Sequence, residues 1–304
     1  MKKNIFYYIK KDWVLYLILI PVIIYYLVFK YIPMFGITIA FKDYNVFSGF
    51  MGIGSEWVGL DVFKEVFSRD IFWNAVRNTI VLNMLVLLVN FPAGITLALM
   101  LNEVRKAKFK KISQSILYLP HFISWVIVAG LVFNLFSLTN GSINNIIIKF
   151  GGEPIPFLIE EGWWIFTYVV SNVWKSIGWS TIIYLAALAG VDEALYEAAY
   201  IDGASHLQRL IHITLPCIKA TIVMMLILQI SKMLAIGLDA PLLLQNGKVI
   251  GVSEVISTYV YKIGLLNVDY STATAVGLFQ SVVNIILLFF ANGAAKVIGE
   301  ESII

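Results

Sequence analysis

Long apolar stretches separated by shorter polar ones set the character of this chain. A bilayer-spanning helix needs about 20 mostly apolar residues. Six stretches reach that length, near 13–37, 74–101, 115–138, 163–189, 216–236 and 273–297. The pattern predicts an all-α integral membrane fold of six transmembrane helices, with residues 1–304 forming a single domain. The connecting loops are too short for a soluble enzyme domain, and no internal repeat or low-complexity tract interrupts the series.

Three of those loops differ in character. The first, about 38–73, is polar, with Asp43, Glu56, Trp57, Asp61 and Asp70. Its stretch from Asp61 to Phe72 is expected to form a short helix on the membrane. The second, 139–162, is rich in turn formers: Asn140-Gly141, Gly151-Gly152, Pro154 and Pro156. The third, about 237–271, carries the turn dipeptide Asn246-Gly247.

Composition agrees with the pattern. The 304 residues are 60% hydrophobic and 13% charged, against about 25% charged in ordinary soluble domains. Aromatics reach 14%, suited to anchoring at headgroups. A net charge of +3 gives no footprint for nucleic acid. The single Cys217 excludes an internal disulfide and reads as a small packing residue. The basic start resembles a signal peptide. Its apolar run, however, continues to Phe41, beyond the ~7–15 residues of such a segment, so a retained first span is expected.

Lysine and arginine orient the chain. Lys2, Lys3, Lys10, Lys11, Arg105, Lys106, Lys108, Lys110, Lys111, Arg209, Lys219 and Lys296 fall on one side. Lys42, Lys64, Arg69, Lys149, Lys248 and Lys262 fall on the other, in longer loops. Both termini and the 191–216 loop are therefore expected in the cytoplasm.

That loop is built like a docking knob. Asp192 is placed to cap a helix through Leu195, Glu197, Ala198, Ala199 and Ile201, and Gly203 to stop it in a left-handed turn. Ser205 and Gln208 have capping-box spacing for a second helix. Leu215-Pro216 is expected to end that helix, with Pro216 opening the fifth span. Ala198 and Ala199 leave a low surface for close approach, and Glu197 a charge free to pair. The competing reading is a pair of amphipathic helices resting on headgroups.

Polar residues inside spans are functional candidates by default. Asn172, Trp174, Lys175 and Trp179 lie in the fourth segment, offering stacking and hydrogen bonds to a sugar. Lys175 reads equally as a residue paired within the bundle, and Gly178 is expected to loosen the helix there. Gln229 and Lys232 lie in the fifth segment, with Asp239 near its outer end. Gln280 and Asn284 share a face of the sixth. For these two, and for Asn83 and Asn90, interhelical hydrogen bonding is the favoured reading. His121 follows Pro120 in the third segment, where a kink with a satisfied imidazole is expected.

Several machines are disfavoured. No Asp or Glu lies deep in a span, as an ion-coupled secondary transporter usually requires. There is no voltage-sensor arginine series and no potassium-channel filter. His121, His206 and His212 form no His-Glu-x-x-His site, and no phosphate-binding loop exists.

Glu197-Ala198-Ala199, Asp202-Gly203-Ala204 and Ile213-Thr214-Leu215-Pro216 together resemble the Glu-Ala-Ala loop of binding-protein-dependent ABC importer permeases. Other stretches resemble the LplB-type polysaccharide and oligosaccharide permeases. These are Pro33-Met34-Phe35-Gly36, Ala40-Phe41-Lys42-Asp43-Tyr44, Leu101-Asn102-Glu103-Val104-Arg105, Tyr118 to Trp125, Thr258 to Tyr261, and Asp269 to Phe279. Leu210 departs from a position often aromatic, and Ala220 from a frequent second proline.

The resemblance implies a type I importer transmembrane domain, with a permease core at about 74–297 and a coupling loop at 191–216. It implies carbohydrate import, of oligosaccharides from polysaccharide breakdown, across a bacterial cytoplasmic membrane. Partners would be a second permease, two ATPase subunits and an extracellular solute-binding lipoprotein. This chain would bind no cofactor, ATP and Mg being used by the ATPase. Glu197, Ala198, Ala199, Asp202, Gly203, Leu215 and Pro216 would form the coupling element. The alternatives are a permease for a non-sugar solute, or an ion-coupled transporter.

Overall fold

The computed structural model describes residues 11–49 and 52–297. Lys2, Lys3 and Lys10, used above for orientation, lie outside them. The chain divides into two compact units, one of residues up to Arg69 with Val260–Phe279, the other of Asp70–Tyr259 with residues from Gln280 onward.

The first unit opens with helix α1, Trp13–Phe41, 29 residues long. Every residue from 13 to 35 is exposed within this chain, and a helix apolar all round belongs in a lipid or protein environment. It widens to a π turn at Leu27–Tyr31 and tightens to a 3-10 turn over Phe35–Phe41. A two-stranded ribbon, absent from the all-α expectation, follows: β1 Lys42–Asp43 pairs antiparallel with β2 Glu56–Trp57. Ser271 ties this unit together, accepting from the Tyr44 N–H at 3.0 Å and donating to the Lys42 carbonyl at 2.7 Å. Helix α2, Asp61–Ser68, ends where Arg69 turns extended. The expected helix to Phe72 is thus two pieces, because Asp70 starts a new one.

That new helix is α3, Asp70–Asn102, which leads the second unit. Then come α4 Ala107–Phe122, α5 Trp125–Phe136, α6 Ser142–Lys149 and α7 Glu161–Leu188. After these run α8 Glu193–Ile201, α9 His206–Cys217 and α10 Lys219–Ile230. Short α11 Asp239–Leu244, α12 Ile250–Ser253 and α13 Ile256–Tyr261 precede the long α14, Tyr270–Val297.

Among the described residues α1, α3 and α14 are long and apolar enough to cross a bilayer, and two bent pairs raise the number to five if each is one span. The fourth predicted span is α7. It is 28 residues long but carries Thr167, Ser171, Asn172, Lys175, Ser176, Ser180 and Thr181, so it belongs inside a bundle rather than against lipid.

Both bent pairs correct the sequence reading. The third segment breaks by 100° between α4 and α5. The break falls at Ile123, where the backbone turns extended, and Ser124 caps α5. Pro120 sits inside the last turn of α4 rather than at the bend. The fifth segment bends by 61° between α9 and α10. Leu215-Pro216 does not end the second loop helix: Leu215 keeps helical angles (φ −63°, ψ −45°), and the break comes at Ile218 (φ −100°, ψ 5°). A π turn over Leu210–Thr214 leads directly into the proline. The wide turn accommodates the residue whose ring and missing N–H would strain an α-helix interior.

Gly178 does not loosen α7, which runs unbroken through it. Its role is close approach. A Cβ there would stand 1.9 Å from the Leu117 carbonyl oxygen of α4, so only glycine lets these backbones touch. Gly178→Ala is expected to cost about 1–3 kcal/mol through overpacking, read as a lower melting temperature of the purified permease. Gly130→Ala, with open space around its Cβ, is the neutral control.

The second and third loops are not loose. Phe157 and Leu158, then Leu244, Val249 and Val255, pack with Leu82, Val128, Val132, Trp164 and Tyr168 in one apolar core. Asn144, fully buried, donates to the Ser137 and Ile155 carbonyls and accepts from the Ile155 N–H. The Trp164 indole donates to the Leu244 carbonyl at 2.9 Å.

Candidate functional site

The loop between α7 and α10 folds as its local signals dictate. Asp192 accepts from the Ala194 N–H at 2.9 Å and starts α8. At its other end Gly203 adopts φ +74°. The Ala204 N–H returns to the Ala199 carbonyl, and the Gly203 N–H to that of Tyr200. This is a Schellman closure, in which the left-handed residue satisfies carbonyls the helix leaves open. Ser205 and Gln208 form the reciprocal capping box that starts α9. Tyr196 Oη lies 3.0 Å from Thr214 Oγ1, a strut between the two helices.

The outer surface of this hairpin suits a partner. Tyr200 is 73% and Ile201 84% exposed, beside Ala198 and exposed Glu197. Glu197 makes no ion pair among the described residues. Behind α8 lies a cavity of about 500 Å³ reached by Glu103, Glu193, Glu197, His206 and Arg209. His206 Nε2 stands 3.0 Å from Glu103 Oε2, joining the end of α3 to the start of α9. Glu103 and His206 escape a sequence reading of the site because they stand about 100 residues apart in the chain.

Deeper in the second unit, the sequence candidates separate into groups. Gln280 donates through Nε2 to the Leu234 carbonyl at 2.8 Å, and Asn284 Oδ1 accepts from the Leu234 N–H at 3.2 Å. Asn83 donates to the Met233 carbonyl at 2.6 Å. The expected fifth span does not stay helical to 236. It stops at Ile230, and three side-chain amides hold the unwound backbone that follows. Irregular backbone at membrane depth needs such partners or a water-lined cavity. Such partners exist here, and beside the turn Asn83, Gln229 and Lys232 are the polar residues lining a mostly apolar cavity of about 370 Å³.

The α7 candidates diverge. Lys175 donates to the carbonyls of Pro120, His121 and Ile123, capping the end of α4 at the 100° bend. Trp179 stacks on the His121 ring, with centroids 4.4 Å apart and planes within 8°. Asn172 donates to the Tyr168 carbonyl of its own helix, and Ser176 to Asn90 of α3. Trp174 faces elsewhere, into an apolar cavity of about 330 Å³ with Leu131, Asn134 and Val170. Among the described residues, no group of three or more His, Cys, Asp or Glu converges as a metal site.

Comparison with known proteins adds a family. The model described as "Binding-protein-dependent transport system inner membrane component" matches residues 90–297. Protein LplB of Bacillus subtilis (strain 168) is 48% identical over 295 residues, covering 97% of this chain and 92% of the relative. The polygalacturonan/rhamnogalacturonan transport system permease protein YteP of the same organism is 50% identical over 289 residues, covering 95% and 89%. Among solved structures, a chain of a bacterial alginate ABC transporter, in complex with an alginate pentasaccharide-bound periplasmic protein, superposes with a TM-score of 0.90. It is 40% identical, and the match covers 99% of this chain and 100% of that one.

Proposed function

We infer that this chain, which belongs to the family of binding-protein-dependent transport system inner membrane components, is one permease of an ATP-driven importer of oligosaccharides. The observation that carries the coupling part is the α8–Gly203–α9 hairpin, rigidly capped at each helix end and presenting Glu197, Ala198, Tyr200 and Ile201 outward. On this reading the hairpin lies in the cytoplasm and seats in an ATPase subunit, which binds and hydrolyses ATP with Mg. Glu197, Ala198 and Ala199 form the contact surface. Asp202 and Gly203 set the angle between the helices. Displacement passes through the Tyr196–Thr214 strut and along Leu215 and Pro216 to the bend at Ile218, where α10 begins. The remaining partners are a second permease and an external binding lipoprotein.

The cargo assignment draws support from the relatives, whose names concern pectic polysaccharides and alginate. Gln229 and Lys232, with the turn held by Gln280 and Asn284, are the part of the path with free polar groups. Asn172, Trp174 and Trp179 are its further candidates. Uptake in vesicles holding the full complex tests the cargo. Labelled oligosaccharides should accumulate with the binding protein outside, unaffected by excess amino acids or peptides. Competition by those solutes instead would assign a non-sugar cargo.

A further inference from the structure

Lys232 sits in the unwound turn after α10, next to the pinned pair Met233 and Leu234. Its backbone is fully used: its N–H donates to the Gln229 carbonyl at 3.2 Å, and its own carbonyl accepts from the Ala235 N–H at 2.8 Å. Its ammonium is unused, with no hydrogen bond, ion pair or ring contact among the described residues. Lys175 of α7 shows the contrast, since it donates to three carbonyls.

Depth makes the difference meaningful. At about 1.5 Å per residue, α10 carries the turn ~17 Å along its axis from Lys219, more than half the ~30 Å thickness of a hydrocarbon layer. An ammonium there is costly to keep and marks a pathway or a partner. The cavity it lines contains no Asp or Glu. Beside Lys232 it holds Gln229, whose amide has no side-chain partner among the described residues, and Asn83, whose Oδ1 remains free to accept; the other seven lining residues are apolar. The polar set is one exposed cation and two neutral groups able to bind hydroxyls, in an otherwise apolar wall.

We propose that Lys232 is the countercharge for a carboxylate on the cargo, so that this path selects uronic-acid oligosaccharides over neutral ones of the same length. The inference rests on the oligosaccharide-import reading above. A lysine fits the task because its compact charge sits on a flexible stem with three rotatable donors. It can follow a carboxylate as successive sugar units pass, where a fixed bidentate clamp would hold it. Gln229 and the Asn83 oxygen then meet the ring hydroxyls. The glycans named for the similar chains, polygalacturonan and alginate, carry carboxylates of this kind.

The test uses the complete complex in proteoliposomes with its own binding protein. The probes are trigalacturonate and trimannuronate, each beside its carboxyl-reduced neutral counterpart, and uptake is normalised to assembled complex. Because the binding protein is the same in every arm, a change in the acid-to-neutral ratio belongs to the permease. Wild type should favour an acidic probe. Lys232→Gln should lower acidic uptake ~10-fold or more, the scale of a charged hydrogen bond, and leave neutral uptake within about twofold. Lys232→Arg, which keeps the charge but clamps a carboxylate bidentately, should give an acid-to-neutral ratio between those of Lys232→Gln and wild type, and Lys232→Glu should abolish acidic uptake alone.

An equal fall in acidic and neutral uptake overturns the proposal, because an ion pair with the neighbouring permease would give that result. An acid-to-neutral ratio left unchanged by Lys232→Gln overturns it too and leaves the import reading standing. No uptake of any oligosaccharide refutes the import reading, and the inference with it.

Discussion

Gly203→Val is expected to abolish coupled transport while the permease remains folded and inserted. Gly203 holds φ +74° at the end of α8, and a Cβ there would meet nothing within 4 Å. Steric clash with the rest of the chain therefore cannot explain a defect; only the backbone conformation can. The left-handed region costs an ordinary residue about 1–2 kcal/mol, and it is least accessible to a β-branched one. Valine should open the Schellman closure and swing α8 away from α9. Sugar-stimulated ATP hydrolysis and uptake should both fall at least ~10-fold, with membrane content unchanged. Asparagine, similar in size but tolerant of this conformation, should retain most activity. Equal behaviour of the two variants would show that the turn angle is not what matters.

Lys175→Met is expected to destabilise the permease itself, by roughly 2–4 kcal/mol, because it strips three carbonyls at the end of α4 of their donor. The Pro120 carbonyl also accepts from the Ile123 N–H, but those of His121 and Ile123 stand at a sharp bend where the helix has no continuing N–H groups to satisfy them. A thermal melt of the purified protein should show the loss, with faster proteolysis near Ile123 and Ser124. The alternative role in the substrate path makes a separable prediction: uptake lost with an unchanged melt. That outcome would move Lys175 from the bend to the path.

The contrast between Gly203 and Lys175 also explains what the sequence made legible. The hairpin could be read residue by residue, since Asp192, Gly203, Ser205 and Gln208 act within a few positions of themselves. The bends at Ile123 and Ile218 could not. The first depends on an ammonium more than 50 residues away in sequence, and the second falls at Ile218, beyond the proline that a sequence reading takes for the break. Ser124 was the one local sign of the break, a capping residue just ahead of an apolar run.

In the second and third loops Asn140-Gly141 and Asn246-Gly247 signal turns and nothing more. The turns exist, but Val249, Val255 and Ile256 are fully buried beside them. Three scattered apolar residues are too few to announce a core by periodicity. Hydrogen bonding by Asn83, Gln280 and Asn284 follows from the cost of polar groups in lipid. Their partners are backbone atoms of Met233 and Leu234, legible only once α10 is seen to stop at Ile230. Trp174 and Lys175 illustrate a further limit: adjacent residues on one helix point to different neighbours, so sequence proximity did not make them one site.

The central claim is that ATP, acting through the α8–α9 hairpin, drives this permease. The most direct measurement is oligosaccharide uptake into proteoliposomes containing the full complex, with ATP enclosed and any proton gradient collapsed by a protonophore. Uptake should be undiminished by the protonophore and should disappear when ATP is withheld. Uptake sustained by a proton gradient in the absence of ATP would contradict it.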